Sequence, residues 1–154
     1  MVHLSGPRPR RTGDQVLLYP ATDMTAAPSA AADTLFISGS EMRAYRTYYL
    51  GDADPRDSRV SPLLAEDHNK LTPALIQMAE HDPLRDDGAR YAATLRAAGV
   101  PVRLTEYVGM PHGYLNFPGL CRSAPQALAE ICAEQRGADR RARPRRGRST
   151  GAAG

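Results

Sequence analysis

A chain of 154 residues, 42% hydrophobic and 24% charged, has the size and composition of one soluble globular domain. No apolar run approaches the roughly 18 residues a membrane span needs, and no apolar core follows the basic residues of MVHLSGPRPRRTGDQ, so neither a span nor a secretory leader is supported and a cytoplasmic protein is expected. The net charge of +3 is unevenly placed: residues 136–154 hold seven Arg and one Asp, and residues 1–135, with thirteen Lys or Arg against sixteen Asp or Glu, are mildly acidic.

In chain order, residues 1–12, with Pro7, Pro9 and a cluster of Arg, read as a flexible lead-in to a domain spanning 13–136. QVLLY (15–19), closed by Pro20, is a short apolar run that predicts a buried strand. A long irregular stretch leads to SEMRAYRTYYL (40–50), a predicted amphipathic helix with Ser40 as N-cap. Its tyrosines serve either as packing residues, the commoner use of aromatics, or as one wall of an apolar pocket. Residues 51–73 are loop, because Asp54-Pro55, Ser61-Pro62 and Thr72-Pro73 each bias the backbone away from helix.

The pattern then sharpens. ALIQMA (74–79) predicts a second buried strand, and 86–98 a helix with Tyr91, Leu95 and Ala98 on one face and Gly99 as its C-cap. Asp86 and Asp87 sit where carboxylates favour a helix N-terminus. VRLTEYV (102–108) alternates as a half-buried strand does, and 124–135 is a helix with Leu128, Ile131 and Cys132 on its apolar side. Cys121 and Cys132, eleven apart, fit neither a metal-binding pair nor a disulfide framework and read as two half-buried thiols. Residues 137–154 lack a hydrophobic period and read as a disordered, solvated tail. Without interleaved aromatics, the Arg run is a weak case for a nucleic-acid or other anionic partner.

This β/α alternation argues for an α/β fold with a mostly parallel sheet and flanking helices. Three strands make a thin version of it, so the chain reads as part of a sheet, with exposed strand edges that predict marginal stability or self-association.

Two turns concentrate chemistry, both beyond the carboxyl ends of predicted strands, where side chains of an open α/β sheet converge on one crevice. AEHDPLRDDG (79–88) places Asp82 before Pro83, and GMPHGY (109–114) places His112 between Pro111 and Gly113. An Asp that fixes the tautomer of a His, leaving the other imidazole nitrogen to take a proton from a hydroxyl, is the orienting half of a nucleophilic triad. A turn-forming Asp and a solvated loop His are the plainer readings of the same residues.

The segments VLLYP (16–20) and SPLLAEDHNKLTPALIQMAEHDPLRDDGARYAATLRAAGVPVRLTEYVGMPHGYLNF (61–117) closely resemble the C-terminal half of the hormone-sensitive-lipase-like esterases and lipases, the α/β-hydrolase fold-3 group. The resemblance implies a partial α/β-hydrolase fold, with Asp82 at the head of DPLRD as the triad Asp and His112 of HGY as the triad His. It also implies that residues 40–50 lie near the cap and acyl pocket, so that Tyr45, Tyr48 and Tyr49 face substrate. The implied activity is carboxylic-ester hydrolysis of small acyl esters, with neither cofactor nor metal. The family's His-Gly-Gly-Gly oxyanion loop and Gly-Asp-Ser-Ala-Gly-Gly elbow are not among these 154 residues, and none of the eight serines lies in G-x-S-x-G. No nucleophile is therefore expected in this chain, and little hydrolysis by it alone. The competing expectations are a non-catalytic remnant or binding module and, behind it, an anionic-partner binder acting through the Arg-rich tail.

Overall fold

The computed structural model describes residues 14–26 and 37–142; the expected lead-in at 1–12 and residues 143–154 of the expected tail lie outside the described residues. Three strands, β1 (Gln15–Leu18), β2 (Ala74–His81) and β3 (Val102–Pro111), form a parallel sheet in the order β1-β2-β3. Three helices accompany them: α1 (Gly39–Leu50), α2 (Arg85–Ala97) and α3 (Ala124–Ala142). Parallel pairing registers Val16 with Leu75 and Ile76 with Leu104, so all three strands point their carboxyl ends the same way. No helix among the described residues is long and apolar enough to cross a membrane.

β2 is the central strand because its first six residues can all be buried. Ala74, Ile76 and Met78 pack against Tyr91, Ala92 and Leu95 of α2, with Val100 closing the cluster. On the other side of the sheet, Ala79 joins Tyr107, Tyr114, Cys121, Ala124 and Ala127 in a second cluster. Helix α2 ends in a Schellman motif: the Gly99 amide donates to the Arg96 carbonyl at 3.0 Å and the Val100 amide to the Leu95 carbonyl at 2.9 Å. Gly99 takes φ +76° to make that turn, so the expected C-cap glycine sits one position past the capping residue Ala98.

Three expectations shift. The N-cap of α1 is Ser38, not Ser40: Glu41 stands three residues after Ser38, and the two close a capping box in which the Glu41 amide donates to Ser38 Oγ at 3.2 Å and the Ser38 amide to Glu41 Oε2 at 2.8 Å. The two thiols differ, Cys121 being buried and Cys132 exposed. Helix α3 turns Ala124, Ala127 and Ala138 inward and leaves Leu128 44% exposed, because a buried polar anchor at Glu130 sets its rotation. The same helix runs six residues into the expected tail, to Ala142, where Ala138 is buried and Arg141 finds the carboxylates of Asp14 and Glu134.

The excursion from β1 to β2 is tied down by loop contacts. The Met24 amide donates to Ser61 Oγ at 2.7 Å, the Leu63 amide to the Thr22 carbonyl at 3.0 Å, and buried His68 sets its ring edge-on to Tyr91. A 3-10 turn at Pro62–Leu64 lies within this stretch.

Candidate active site

The carboxyl ends of β2 and β3 are neighbours, but simple parallel register does not bring Asp82 beside His112. Ala79 pairs with Tyr107, and the next aligned pair is His81 with Pro111, so β3 spends two extra residues over that interval. This bulge needs a left-handed residue, which Gly109 supplies at φ +72°. Glu80 pins it by accepting the Gly109 amide at 2.7 Å. Drawing in two residues of chain leaves His112 directly after the position paired with His81, opposite Asp82.

There the two side chains meet: Asp82 Oδ2 lies 2.9 Å from His112 Nδ1. The Asp82 side chain is fully buried and that of His112 is 23% exposed. Asp82 Oδ1 accepts the Leu84 amide at 2.8 Å, which orients the carboxylate at the entry to α2. A hydrogen bond from Nδ1 to a carboxylate fixes the proton on Nδ1 and leaves Nε2 as the acceptor of the ring.

An aromatic ring packs against the imidazole. Tyr19, just past β1, lies edge-on to His112 with centroids 4.7 Å apart, and edge-on to Tyr114 at 5.8 Å. Its backbone sits at φ +39°, outside the usual range for a bulky residue, and its amide donates to the Gln77 carbonyl at 2.7 Å. Burial raises the Tyr19 phenol above its ordinary value, and the nearby Asp82 charge adds to that. After His112, Gly113 at φ +74° turns the chain so that Tyr114 drops into the core, fully buried, with its hydroxyl donating to Gln77 Oε1 at 3.3 Å.

Gln77 belongs to a polar network beneath this loop. Its Nε2 donates to the Ala127 carbonyl at 3.0 Å and to Glu130 Oε2 at 2.8 Å. Glu130 also accepts from Thr105 Oγ1 at 2.8 Å and the Tyr107 hydroxyl at 2.9 Å, and pairs with Arg103 at 2.7 Å. Burial together with the Glu130 carboxylate pushes the Tyr107 phenol up to about 12. For Glu130 itself burial acts upward, but the donors from Thr105, Gln77 and Tyr107 and the Arg103 charge outweigh it, and the carboxyl lies below its ordinary value. One network thus joins α3, β2, β3 and the His112 loop.

His112 opens onto a cleft of about 300 Å³. Apolar walls come from Met24, Ile37, Met42, Pro83 and Leu84, and α1 contributes Tyr45, Arg46 and Tyr49. Of the expected tyrosines, Tyr45 and Tyr49 border this cleft while remaining 61% and 64% exposed, whereas Tyr48 does not border it and is 85% exposed. The packing role is therefore not theirs. None of the described lining residues is Ser, Thr or Cys.

Asp86 stays an exposed residue of the first turn of α2, as expected, but Asp87 does more than cap a helix. Its buried Oδ2 accepts the Thr22 amide at 2.8 Å and the Asp23 amide at 3.0 Å, and its Oδ1 pairs with Arg90. Arg90 reaches Asp23 as well, at 3.1 Å. Loop 22–23, one wall of the cleft, is thereby clamped to α2. For Asp23, burial acts upward but is outweighed by Thr25 and Arg90, which hold its carboxyl low. Among the described residues no group of three or more His, Cys, Asp or Glu is placed to hold a metal. The bulge, Tyr19, Gln77 with Glu130, and Asp87 were missed by sequence reasoning; a glycine inside a strand pattern and a Gln inside an apolar run were the available signals.

The sequence model of the alpha/beta hydrolase fold matches residues 5–116. The carboxylic ester hydrolase LipN of Mycobacterium tuberculosis is 45% identical over 108 residues, which are 67% of this chain and 29% of that protein. The carboxylesterase NlhH of the same organism is 40% identical over 121 residues, 73% of this chain and 38% of its own. Among solved structures, a hyperthermophilic esterase from the archaeon Pyrobaculum calidifontis superposes with a TM-score of 0.74 at 31% identity, over 84% of this chain and 42% of that one. The chain spans well under half the length of each of these relatives.

Proposed function

The chain belongs to the alpha/beta hydrolase fold family, and from that premise we propose that it carries the general-base half of a carboxylic-ester hydrolase, with His112 as base and Asp82 as its orienting carboxylate. The single observation that carries this reading is the 2.9 Å contact of buried Asp82 with His112, which borders an apolar cleft. In the proposed reaction Nε2 takes the proton of a hydroxyl nucleophile as its oxygen attacks the acyl carbon. The imidazolium so formed is stabilised by the Asp82 carboxylate and then protonates the departing alkoxide. Asp82 keeps its negative charge throughout. A cleft of about 300 Å³ suits a small acyl ester.

The nucleophile and the oxyanion donors are proposed to come from sequence other than these 154 residues, since G-x-S-x-G and His-Gly-Gly-Gly do not occur among them. Loss of a triad nucleophile costs about a million-fold in turnover, so this chain alone is expected to hydrolyse esters little above background. The test is complementation. A polypeptide bearing the family's oxyanion loop and serine elbow, mixed with this chain, should cleave p-nitrophenyl acetate, and the same mixture with H112A should not. A soluble mixture that associates and stays inactive, or one in which H112A works as well, overturns the proposal. The second reading, a cleft that only binds, is favoured by the lack of Ser, Thr and Cys among its described lining residues. It predicts ligand binding indifferent to H112A.

A further inference from the structure

Besides the imidazole of His112, the described residues bordering the cleft carry three charged side chains, and two of them, both carboxylates, are engaged within the fold by amide and hydroxyl donors and by one shared arginine. Asp87 takes two backbone amides and Arg90; Asp23 takes the Thr25 amide and hydroxyl on one oxygen, at 2.9 and 2.5 Å, and Arg90 on the other. The third is Arg46. Its Nη1 donates to the Ala26 carbonyl at 3.3 Å, and among the described residues no carboxylate pairs with it. It lies on α1 in the stripe Met42, Tyr45, Arg46, Tyr49, whose spacing of three and four residues gathers all four on the helix face that borders the cleft. Arg46 is half-buried while the tyrosines beside it are mostly exposed.

A guanidinium is always protonated and offers a planar fork of donors that matches a carboxylate. Half-buried beside methionine and tyrosine, it has lost part of its hydration without gaining a carboxylate partner among the described residues, so an anionic ligand group recovers what the apolar wall withholds. We propose that the cleft selects esters that also carry a carboxylate, such as monoesters of short dicarboxylic acids, with the carboxylate on Arg46, the methylene spacer along Met42 and Leu84, and the ester group toward His112. This rests on the ester-hydrolase reading of the same cleft and adds its substrate class.

The test uses the full 154-residue chain and equilibrium binding, read by the ring and backbone NMR resonances of His112 and Tyr49. Monoethyl succinate and uncharged diethyl succinate are titrated into wild type, R46Q and R46K. Wild type should hold the monoester about tenfold more tightly than the diester, the low end for a charge-assisted pair because the site is open to water. R46Q should bring the ratio to about one, and R46K, which keeps the charge but not the fork, to an intermediate value. Raising salt from about 20 mM to about 500 mM should shrink the wild-type ratio whether or not the variants fold. A diester that shifts His112 while the monoester binds no better overturns the carboxylate preference and leaves the ester site standing. A preference that R46Q retains overturns the role of Arg46. If neither ester moves the His112 resonances, the carboxylate proposal falls, and the ester-hydrolase reading is decided separately by the complementation assay.

Discussion

Replacing Glu130 by Gln removes one charge and little volume, and it asks whether the anchor under the His112 loop depends on ionisation. The carboxylate holds four partners: Thr105 at 2.8 Å, Gln77 at 2.8 Å, Tyr107 at 2.9 Å and Arg103 at 2.7 Å, with only 9% of its side chain exposed. Oε1 receives Thr105 and Arg103, and Oε2 receives Gln77 and Tyr107. The hydroxyls can rotate to accept from a new amide NH₂, but Arg103 and the Gln77 Nε2 cannot. Whichever way the amide faces, one donor loses its acceptor and the rest trade charged bonds for neutral ones. With hydrogen bonds to charged groups worth about 1.5–3 kcal/mol and neutral ones about 1, the loss is about 2–3 kcal/mol at neutral pH. The sign of its pH dependence follows from the folded carboxyl titrating below its ordinary 4.5, which makes the ionised form the one the fold prefers. That stabilisation is complete above about pH 4.5 and drains away as pH falls through the folded value, so the gap between wild type and E130Q should narrow by about pH 3.5. Urea unfolding followed by far-UV circular dichroism at both pH values measures it. A gap below about 0.5 kcal/mol at pH 7, or one equally wide at both, refutes the argument, since neutral hydrogen bonds alone would then account for the anchor.

Leu95 is fully buried between α2 and β2, and L95A should cost about 3 kcal/mol in urea unfolding, because the packed cluster around it cannot collapse into the space. Gly113 sits at φ +74°, so G113A should destabilise by about 1–2 kcal/mol and shift the His112 ring resonances; unchanged resonances would show that the turn does not place the imidazole. In the complemented enzyme, D82N should lower ester turnover about ten-thousand-fold by giving His112 the wrong tautomer, and a loss under tenfold would remove Asp82 from the mechanism.

Asp82 and His112 were legible because both stand after strand-like runs beside Pro or Gly, and a parallel sheet sends such turns to one edge. Their pairing was expected from the triad pattern, but the register that brings them together was not legible. Alternation along 102–108 gives no sign that β3 holds two extra residues before Pro111, and only Gly109 hints at it. Tyr19 likewise read as the last residue of an apolar strand, although a positive φ turns its ring onto His112. For α3 the apolar residues gave the wrong rotation: Leu128 and Cys132 mark a hydrophobic side, yet small alanines and Glu130 face the sheet, because Gln77, Thr105 and Tyr107 demand an acceptor there. Long-range polar demands of this kind leave no local periodicity. The tyrosine stripe of α1 and its arginine were visible as residues, but their shared cleft depends on loop 22–26, which no spacing rule places.

The bulge in β3 also determines where this chain can be cut and rejoined. Asp82 and His112 are separated by thirty positions, running from the turn after β2 through α2 and β3 to the residue just past β3, and the glycine that aligns them lies within that span too. Recombination upstream of Ala74 inherits the acid–base pair whole, whereas a crossover between the two turns splits it. A single-residue deletion at 108–109 would keep every side chain of the pair and separate them by register alone.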